Sequence, residues 1–367
     1  DTVAKYGREV FKSICGDLMD YAEARMRAEI AEIPDGKYSF VDYMDNDGVS
    51  ESEIRIEAHC YVQKDEIVVD YTGSTAQVSG PINATLGVAW SAAYNAILHL
   101  TDPSIPKNSG CFRPIRIVAP QGTIVNVDYP APEVGGNTET HPRIAGAVIG
   151  ALAQAAPQRA MAGEGGTHLN FVFGGIDRKH DEYFACYDIE TVGWGARPFA
   201  DGNDATDSIN GNCRVMPVEV YETRYPWLTE EFCLRSDSGG AGEFRGGLGT
   251  QKTWRCLDAE ITCSQLTDRH VHQAWGFDGG CPGATGKTLF LEADRTDWQT
   301  MVEAFGKSST SKWSNVVIKP GDRVRLMTPG GGGWGDPGER KREFIDEDLA
   351  EGWVTLSSVS EDYDVDV

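Results

Sequence analysis

Arg143-Ile-Ala-Gly-Ala-Val-Ile-Gly-Ala-Leu-Ala-Gln-Ala-Ala156 carries one charge, at its first position, and is otherwise small and almost wholly apolar. A helix needs a polar face only where it meets water, so this one is expected inside the molecule, entered by Pro142 at its first helical position. Upstream, Thr85 to Leu100 is similarly rich in Ala, Leu and aromatics without charge and predicts a second buried helix. Residues 1 to about 33 place Val3, Tyr6, Val10, Ile14, Leu18, Tyr21, Met26 and Ile30 at helical spacing and stop at Pro34-Asp35-Gly36, which predicts a long amphipathic helix. Between these helices, Glu53 to Gln63 and Ile67 to Thr72 are rich in β-branched residues around Lys64-Asp65-Glu66 and read as a hairpin, broken by Gly80-Pro81. Arg116 to Val118 and Thr123 to Asn126 read as short strands.

Beyond residue 165 the texture changes. Short strand-like runs (Asn170 to Phe173, Glu182 to Tyr187, Thr253 to Cys256, Ile261 to Gln265, Thr288 to Glu292, Arg323 to Met327) are divided by Gly, Pro and Asp. The expected class is therefore α+β, with a helical and hairpin N-terminal half and a β-rich, glycine-punctuated C-terminal half. The expected organisation is an amphipathic helix over 1–36, an α+β region with two buried helices over 37–165, a β-rich region over 166–340, and a C-terminal helix with a loose acidic tail over 341–367.

The 367 residues, 40% hydrophobic, suffice for a sizeable core in one large or two ordinary domains. Acidic residues outnumber basic ones 56 to 33, a net charge of −23 that repels nucleic-acid backbones and anionic lipid. With no long uninterrupted apolar run and no signal-peptide architecture, a cytoplasmic protein is expected. The nine cysteines are odd in number and never form a Cys-x-x-Cys pair, which predicts reduced thiols, most of them small core residues. The chain opens in mid-helix without an initiator Met and is expected to be processed, split or incomplete.

Three tempting motifs reduce to bland readings. Gly280-Cys-Pro-Gly-Ala-Thr-Gly-Lys-Thr288 lacks the glycine a P-loop needs, because Cys281 stands there, and a strand rather than a helix follows, so an ordinary glycine turn is expected. Asp45-Asn46-Asp47-Gly48 would put Tyr43 and Ile54 at calcium-ligand positions that require carboxylates, so a solvated acidic turn is expected. Asp268, His270 and His272 alternate as metal ligands on one strand face would, yet a solvated or hydrogen-bonded histidine pair is the commoner outcome. No Gly-x-Ser-x-Gly elbow exists, and Cys111 reads as a buried thiol without a base.

The chemically richest stretch is Gly135-Gly-Asn-Thr-Glu-Thr-His-Pro-Arg143, at the entry to the uncharged helix. Free backbone N–H groups and the helix dipole there favour an anion and keep His141 neutral; alternatively Thr140 or His141 simply caps the helix. Gly193-Trp-Gly-Ala-Arg197 followed by Asp201-Gly-Asn-Asp204 combines a stackable ring, a fixed cation and two carboxylates, and reads either as a pocket lining or as a tight turn closed by an Arg–Asp pair. Glu139 and His141 are the candidate catalytic residues, with His141 transferring a proton. Asn137, Arg143, Arg197 and Asp204 are candidate substrate-binding residues, the arginines gripping an anionic oxygen. No residue is assigned to a metal or cofactor.

Read in order, Asp70-Tyr-Thr-Gly-Ser74, Gly80-Pro-Ile-Asn83, Gly110-Cys-Phe-Arg-Pro-Ile115, Gly135-Gly-Asn-Thr-Glu-Thr140, Gly193-Trp-Gly-Ala-Arg197, Pro217-Val-Glu219, Ser238-Gly-Gly-Ala-Gly242, Arg245-Gly-Gly-Leu-Gly249 and Thr328-Pro-Gly-Gly-Gly-Gly-Trp-Gly-Asp-Pro337 resemble the hydantoinase B/oxoprolinase family over almost the whole chain. The resemblance implies a B-type subunit acting with a hydantoinase A-type subunit that binds ATP and Mg. That partner phosphorylates the amide or enol oxygen of a hydantoin, 5-oxoproline, related lactam or ketone. An unstrained amide is a poor electrophile, and phosphorylation supplies a leaving group and a charge to grip. Full-length family members carry a further upstream segment whose His and Asp residues form a divalent metal site, zinc or manganese, where one is present; nothing in residues 1–367 matches it, so another chain or segment is expected to supply it. The Pro217, Trp194 and Arg245 segments resemble the hydantoinase branch more than the ketone carboxylases, so cyclic-amide hydrolysis is the expected activity. A ketone carboxylase component and a non-catalytic scaffold are the alternatives.

Overall fold

A computed structural model describes residues 2–177 and 181–363. The tail residues 364–367 lie outside the described residues. The amphipathic helix forms as α1 (Thr2–Tyr6) and α2 (Arg8–Ala31), interrupted where Gly7 takes φ 82°. Of α2 only Ala22, Met26 and Ile30 are buried; Val10, Phe11, Ile14, Leu18 and Tyr21 face water.

Next come β1 (Gly36–Met44), β2 (Ile54–Gln63) and β3 (Glu66–Asp70), antiparallel in sequence, with β4 (Ile115–Val118) added parallel to β3. The hairpin is the expected one, whereas β1 escapes the sequence reading because Gly36-Lys-Tyr-Ser-Phe-Val-Asp-Tyr-Met44 mixes polar and aromatic residues without clean alternation. Thr123 to Asn126 makes only isolated bridges, not a strand. The two expected helices, α3 (Leu86–His99) and α4 (His141–Ala153), cover this sheet. In α4 every residue except Gly146 is buried, and its apolar side chains unite with those of α2, α3 and the sheet in the largest core cluster.

The C-terminal half builds two sheets from β5 (Asn170–Asp177), β6 (Glu182–Asp188), α5 (Val218–Arg224), β7 (Trp227–Leu234), β8 (Thr250–Cys256), β9 (Ile261–Leu266), β10 (Lys287–Leu291), β11 (Gln299–Thr300), α6 (Met301–Phe305), β12 (Lys312–Ile318) and β13 (Arg323–Met327). Their orders are β11-β10-β13-β8-β7 and β12-β9-β5-β6. An aromatic core fills the space between: Phe171 stacks on Trp254 at 5.5 Å, and Tyr221 lies parallel to Trp254 at 5.1 Å. The C-terminal helix resolves into two, α7 (Arg342–Ala350) and α8 (Leu356–Asp362).

Glycine-rich segments join these layers. Rather than turning with positive φ, which within residues 239–249 and 330–335 only Gly335 does, they run past one another and exchange backbone hydrogen bonds: Gly240 N–H to Gly331 O, Gly331 N–H to Gly247 O, Gly332 N–H to Gly163 O. A Cβ at Gly331 would stand 2.0 Å from the Trp194 carbonyl oxygen, so close approach is what demands glycine. The Gly280–Thr288 segment belongs to the same framework; its Cys281, Gly283, Ala284 and Gly286 N–H groups donate to backbone carbonyls, which leaves them no phosphate to cradle.

Candidate active site

Glu139 occupies a wide, π-helical turn (Gly136–Thr140) that runs straight into α4. The turn moves the start of the helix upstream of His141. Its wider loops consume the N–H groups of Glu139, Thr140 and His141 on the Gly135 and Gly136 carbonyls, so the free donors expected at His141 do not exist. Nor do Thr140 and His141 cap the helix: no side-chain cap bond forms, and the Thr140 hydroxyl donates to Ile82 O.

The Glu139 carboxyl is fully buried. Thr167 Oγ1 donates to its Oε2 at 2.6 Å and Asn170 Nδ2 to its Oε1 at 2.7 Å. Asn170 also reaches Thr138 Oγ1 at 3.1 Å, and its own Oδ1 accepts from the Tyr187 hydroxyl. Burial raises Glu139 to about 8. Thr138, Asn170 and Tyr187 form one end of a cleft of about 410 Å³ whose walls include Val49, Pro81, Val134, Val172, Leu266 and Trp313. Tyr187 is 60% exposed there, while Glu139 stands behind Asn170.

His168, two residues before Asn170, holds Asp207 through Nδ1 at 3.0 Å and Asn210 Oδ1 through Nε2 at 2.9 Å. Burial pulls it down, but these hydrogen bonds and the nearby Glu139 and Asp207 carboxyls lift it to about 9, so it is an imidazolium donating from both nitrogens at neutral pH. His141 behaves oppositely. Burial, with the His168 charge, depresses it to about 4, so it is neutral as expected, though for a cause other than the helix dipole. Its Nε2 lies 3.4 Å from Asn95 Nδ2, and among the described residues its Nδ1 has no partner. Between Thr167 and Asn170, Leu169 adopts φ 44°, a strained conformation held by complete burial.

Arg143 does not face the cleft. It is wholly buried between Asp42 and Asp268, 3.5 Å from each, and donates to Gly166 O at 3.2 Å. Arg269 pairs with Asp42 at 2.8 Å and Lys312 with Asp268 at 2.8 Å, completing a network that ties β1, α4, β12 and the segment after β9 together. A cation with no exposed surface, held between two carboxylates, presents no donor to a substrate oxygen in the cleft. Asp268 is thus an ion-pair partner, and His270 and His272 are set by their backbones: with Val271 they donate N–H bonds to the Asp45 carboxylate at 2.8–3.0 Å. Among the described residues no three His, Cys, Asp or Glu side chains are grouped to hold a metal ion. The 45–48 turn is accordingly a buried clamp, not a solvated one, since Asp47 likewise accepts from Val49, Ser50 and Gly80 N–H.

Arg197 and Asp204 are separated from each other and from Glu139. Arg197 donates to Asp201 O at 3.2 Å and Asn203 Oδ1 at 3.1 Å, while Asp204 accepts from Leu248 N–H at 2.6 Å and faces Arg245 at 3.3 Å. Asp201 is taken by Arg340, so no Arg–Asp pair closes that turn. Asn137 is exposed and contributes its carbonyl to Asn210 Nδ2 at 2.8 Å. The sequence reading missed Thr167, His168, Asn170, Tyr187, Asp207 and Asn210. Their only local signal is the polar Thr167-His168-Leu169-Asn170 cluster between a glycine run and an apolar strand.

The profile of the hydantoinase B/oxoprolinase family matches residues 1–337. The chain belongs to that family. The B-type subunit of a putative D-/L-hydantoinase from Pseudomonas sp. (strain NS671) is 32% identical over the whole chain and 62% of its own length. The crystal structure of the ATP-dependent caprolactamase from Pseudomonas jessenii superposes with a TM-score of 0.86 at 26% identity, covering 100% of this chain and 63% of that one. An ATP-dependent acetone carboxylase shares the fold, with a TM-score of 0.87 at 19% identity over 100% and 54% of the two chains. The chain spans 61–62% of the length of three curated relatives and 21–25% of five longer ones, 5-oxoprolinases among them. Among the described residues no helix is long and apolar enough to cross a membrane.

Proposed function

We propose that this chain is the B-type subunit of an ATP-dependent hydrolase that opens cyclic amides. The observation that carries the reading is a protonatable carboxyl, Glu139, held by two donors behind the Asn170 wall of a mainly apolar cleft, in a chain whose family includes a hydantoinase subunit and a caprolactamase subunit. In this reading the ring lies against Val172, Leu266 and Trp313, and its amide edge meets the Tyr187 hydroxyl and the Thr138 and Asn170 side chains. Glu139 is a positioning residue: its carboxyl orients Asn170, and at about 8 it exchanges a proton near neutrality. The His168 imidazolium, held by Asp207, places a positive charge near it.

An A-type subunit supplies ATP and Mg and activates the amide oxygen; a divalent metal, zinc or manganese, belongs with the remaining family length rather than with Asp268, His270 and His272, whose present partners do not fit one. We assign the assembly to the cytoplasm. The test uses the assembled complex: ATP-dependent loss of 2-pyrrolidone, caprolactam, hydantoin or 5-oxoproline is expected, with Tyr187→Phe and Glu139→Gln each lowering turnover at least about tenfold. Turnover of a ketone that requires bicarbonate, with no ring amide consumed, would instead make the chain a carboxylase component.

A further inference from the structure

A second cleft, of about 230 Å³, opens where the end of α3, the middle of α4 and the Trp194 loop meet. Ile149 on its wall lies two helical turns beyond His141, about 12 Å along α4. It is therefore separate from the Glu139 cleft. Its lining holds Arg159, Arg197 and His99 and not one acidic side chain, in a chain whose acidic residues outnumber its basic ones 56 to 33. The rest of the lining is apolar or aromatic, including Met161, Trp194 and the 67% exposed Phe199.

Arg197 is free of carboxylate partners among the described residues, and Arg159 is committed only in part. Arg197 uses Nη2 on two neutral oxygens and, among the described residues, pairs with no carboxylate; its plane lies 5.6 Å from the Phe199 ring centroid. Arg159 gives Nη1 to Glu29 at 3.0 Å, an exposed pair that water and salt weaken. The Trp194 indole N–H is already bonded to Asp207 O at 2.7 Å, which turns its ring, not its donor, to the cleft, 5.7 Å from the His99 ring.

We propose that this cleft binds a small organic carboxylate. Planar guanidinium forks match a carboxylate's two oxygens, and the Trp194 and Met161 surfaces take a flat apolar body behind it. The volume suits a body of about one ring. An uncharged amide of the same shape gains the stacking and loses the ion pairs. Because the experiment needs only this chain and no turnover, the inference stands or falls apart from the ring-amide reading.

The probe is benzoate, with benzamide as the uncharged isostere, titrated calorimetrically into the purified chain. Benzoate is expected to bind at least tenfold more tightly, and more weakly as salt rises. Arg197→Gln and Arg159→Gln are each expected to weaken benzoate about tenfold while leaving benzamide unchanged, and Arg197→Lys to restore part of the loss. Circular dichroism checks that each variant folds; if Arg197→Gln does not, Arg159→Gln, on a short exposed turn, carries the test. Equal affinity for benzoate and benzamide, or benzoate binding untouched by both substitutions, overturns the proposal.

Discussion

Glu139 shows how much one side chain's surroundings decide. An acid lifted from 4.5 to about 8 on folding means that the native state holds more protons than the unfolded chain between those values, so stability falls as pH rises through that window. His168, raised to about 9, adds to this: its contribution is complete below about 6.5 and is lost as pH climbs through 9. His141, depressed to about 4, acts on the other side, where stability is lost as pH falls from about 6.5 to 4. Glu139→Gln keeps the shape and cannot ionise, so thermal unfolding followed from pH 5 to 9 is expected to show a flatter alkaline decline than the parent; an unchanged slope would mean that Glu139 is already ionised at neutral pH. Tyr187→Phe removes a donor from a largely exposed ring and is expected to change stability by less than about 1 kcal/mol while lowering turnover, a separation that equilibrium unfolding and kinetics read independently. Glu139 and His141 stood out in the sequence, but their surroundings did not: the residues that complete the group come from the segment before β5, from β5, from β6 and from the 207–210 loop, and no spacing rule links positions so far apart in sequence.

The elements divide by how local their instructions are. Helices α3 and α4 were both legible as helices; α4 is buried as expected, whereas α3 buries only Ala89, Ala92, Ala93, Ala96 and Ile97 and leaves Leu86 and Trp90 exposed. In α2 the apolar spacing was legible, but not that Val10, Phe11, Ile14, Leu18 and Tyr21 on it stay exposed. Met26→Ala is accordingly expected to cost about 2–5 kcal/mol in denaturant unfolding, and Ile14→Ala less than about 0.5. Strands β1, β7 and β12 escaped because their partners, not their composition, hold them: β1 pairs along its full length with β2, and β7 and β12 carry register shifts that break alternation. The glycine segments read in the sequence as serving tight turns of positive φ and close backbone approach in a β-rich framework, and close approach is what the structure uses. Gly331→Ala, with its new Cβ 2.0 Å from a carbonyl oxygen, is expected to prevent folding or cost more than about 4 kcal/mol, while Gly16→Ala in α2, with open space around it, is tolerated.

For the whole molecule, the ion network of Asp42, Arg143, Asp268, Arg269 and Lys312 is the clearest case of distant sequence made local. Burial pushes both carboxyls up, but the cations more than offset it, holding Asp42 below its usual range and Asp268 at about 2. Depressed carboxylates stabilise above their unfolded values, so that contribution is lost as pH falls from about 3.8 toward 2. Asp42→Asn leaves Arg143 and Arg269 short of a counter-charge and is expected to cost about 3–5 kcal/mol in denaturant unfolding. Composition, periodicity and ordered motifs alone determined the α+β class, the two uncharged helices, the hairpin and the family, because each depends on neighbours a few residues apart or on fixed spacing. Which charges line a cleft and which are sealed in the core was decided only by the tertiary structure. Arg143 and Arg197 are the same residue type in equally polar, glycine-flanked surroundings, yet one is enclosed by two carboxylates and the other faces an open cleft, since burial and electrostatic partnership are properties of the packed chain.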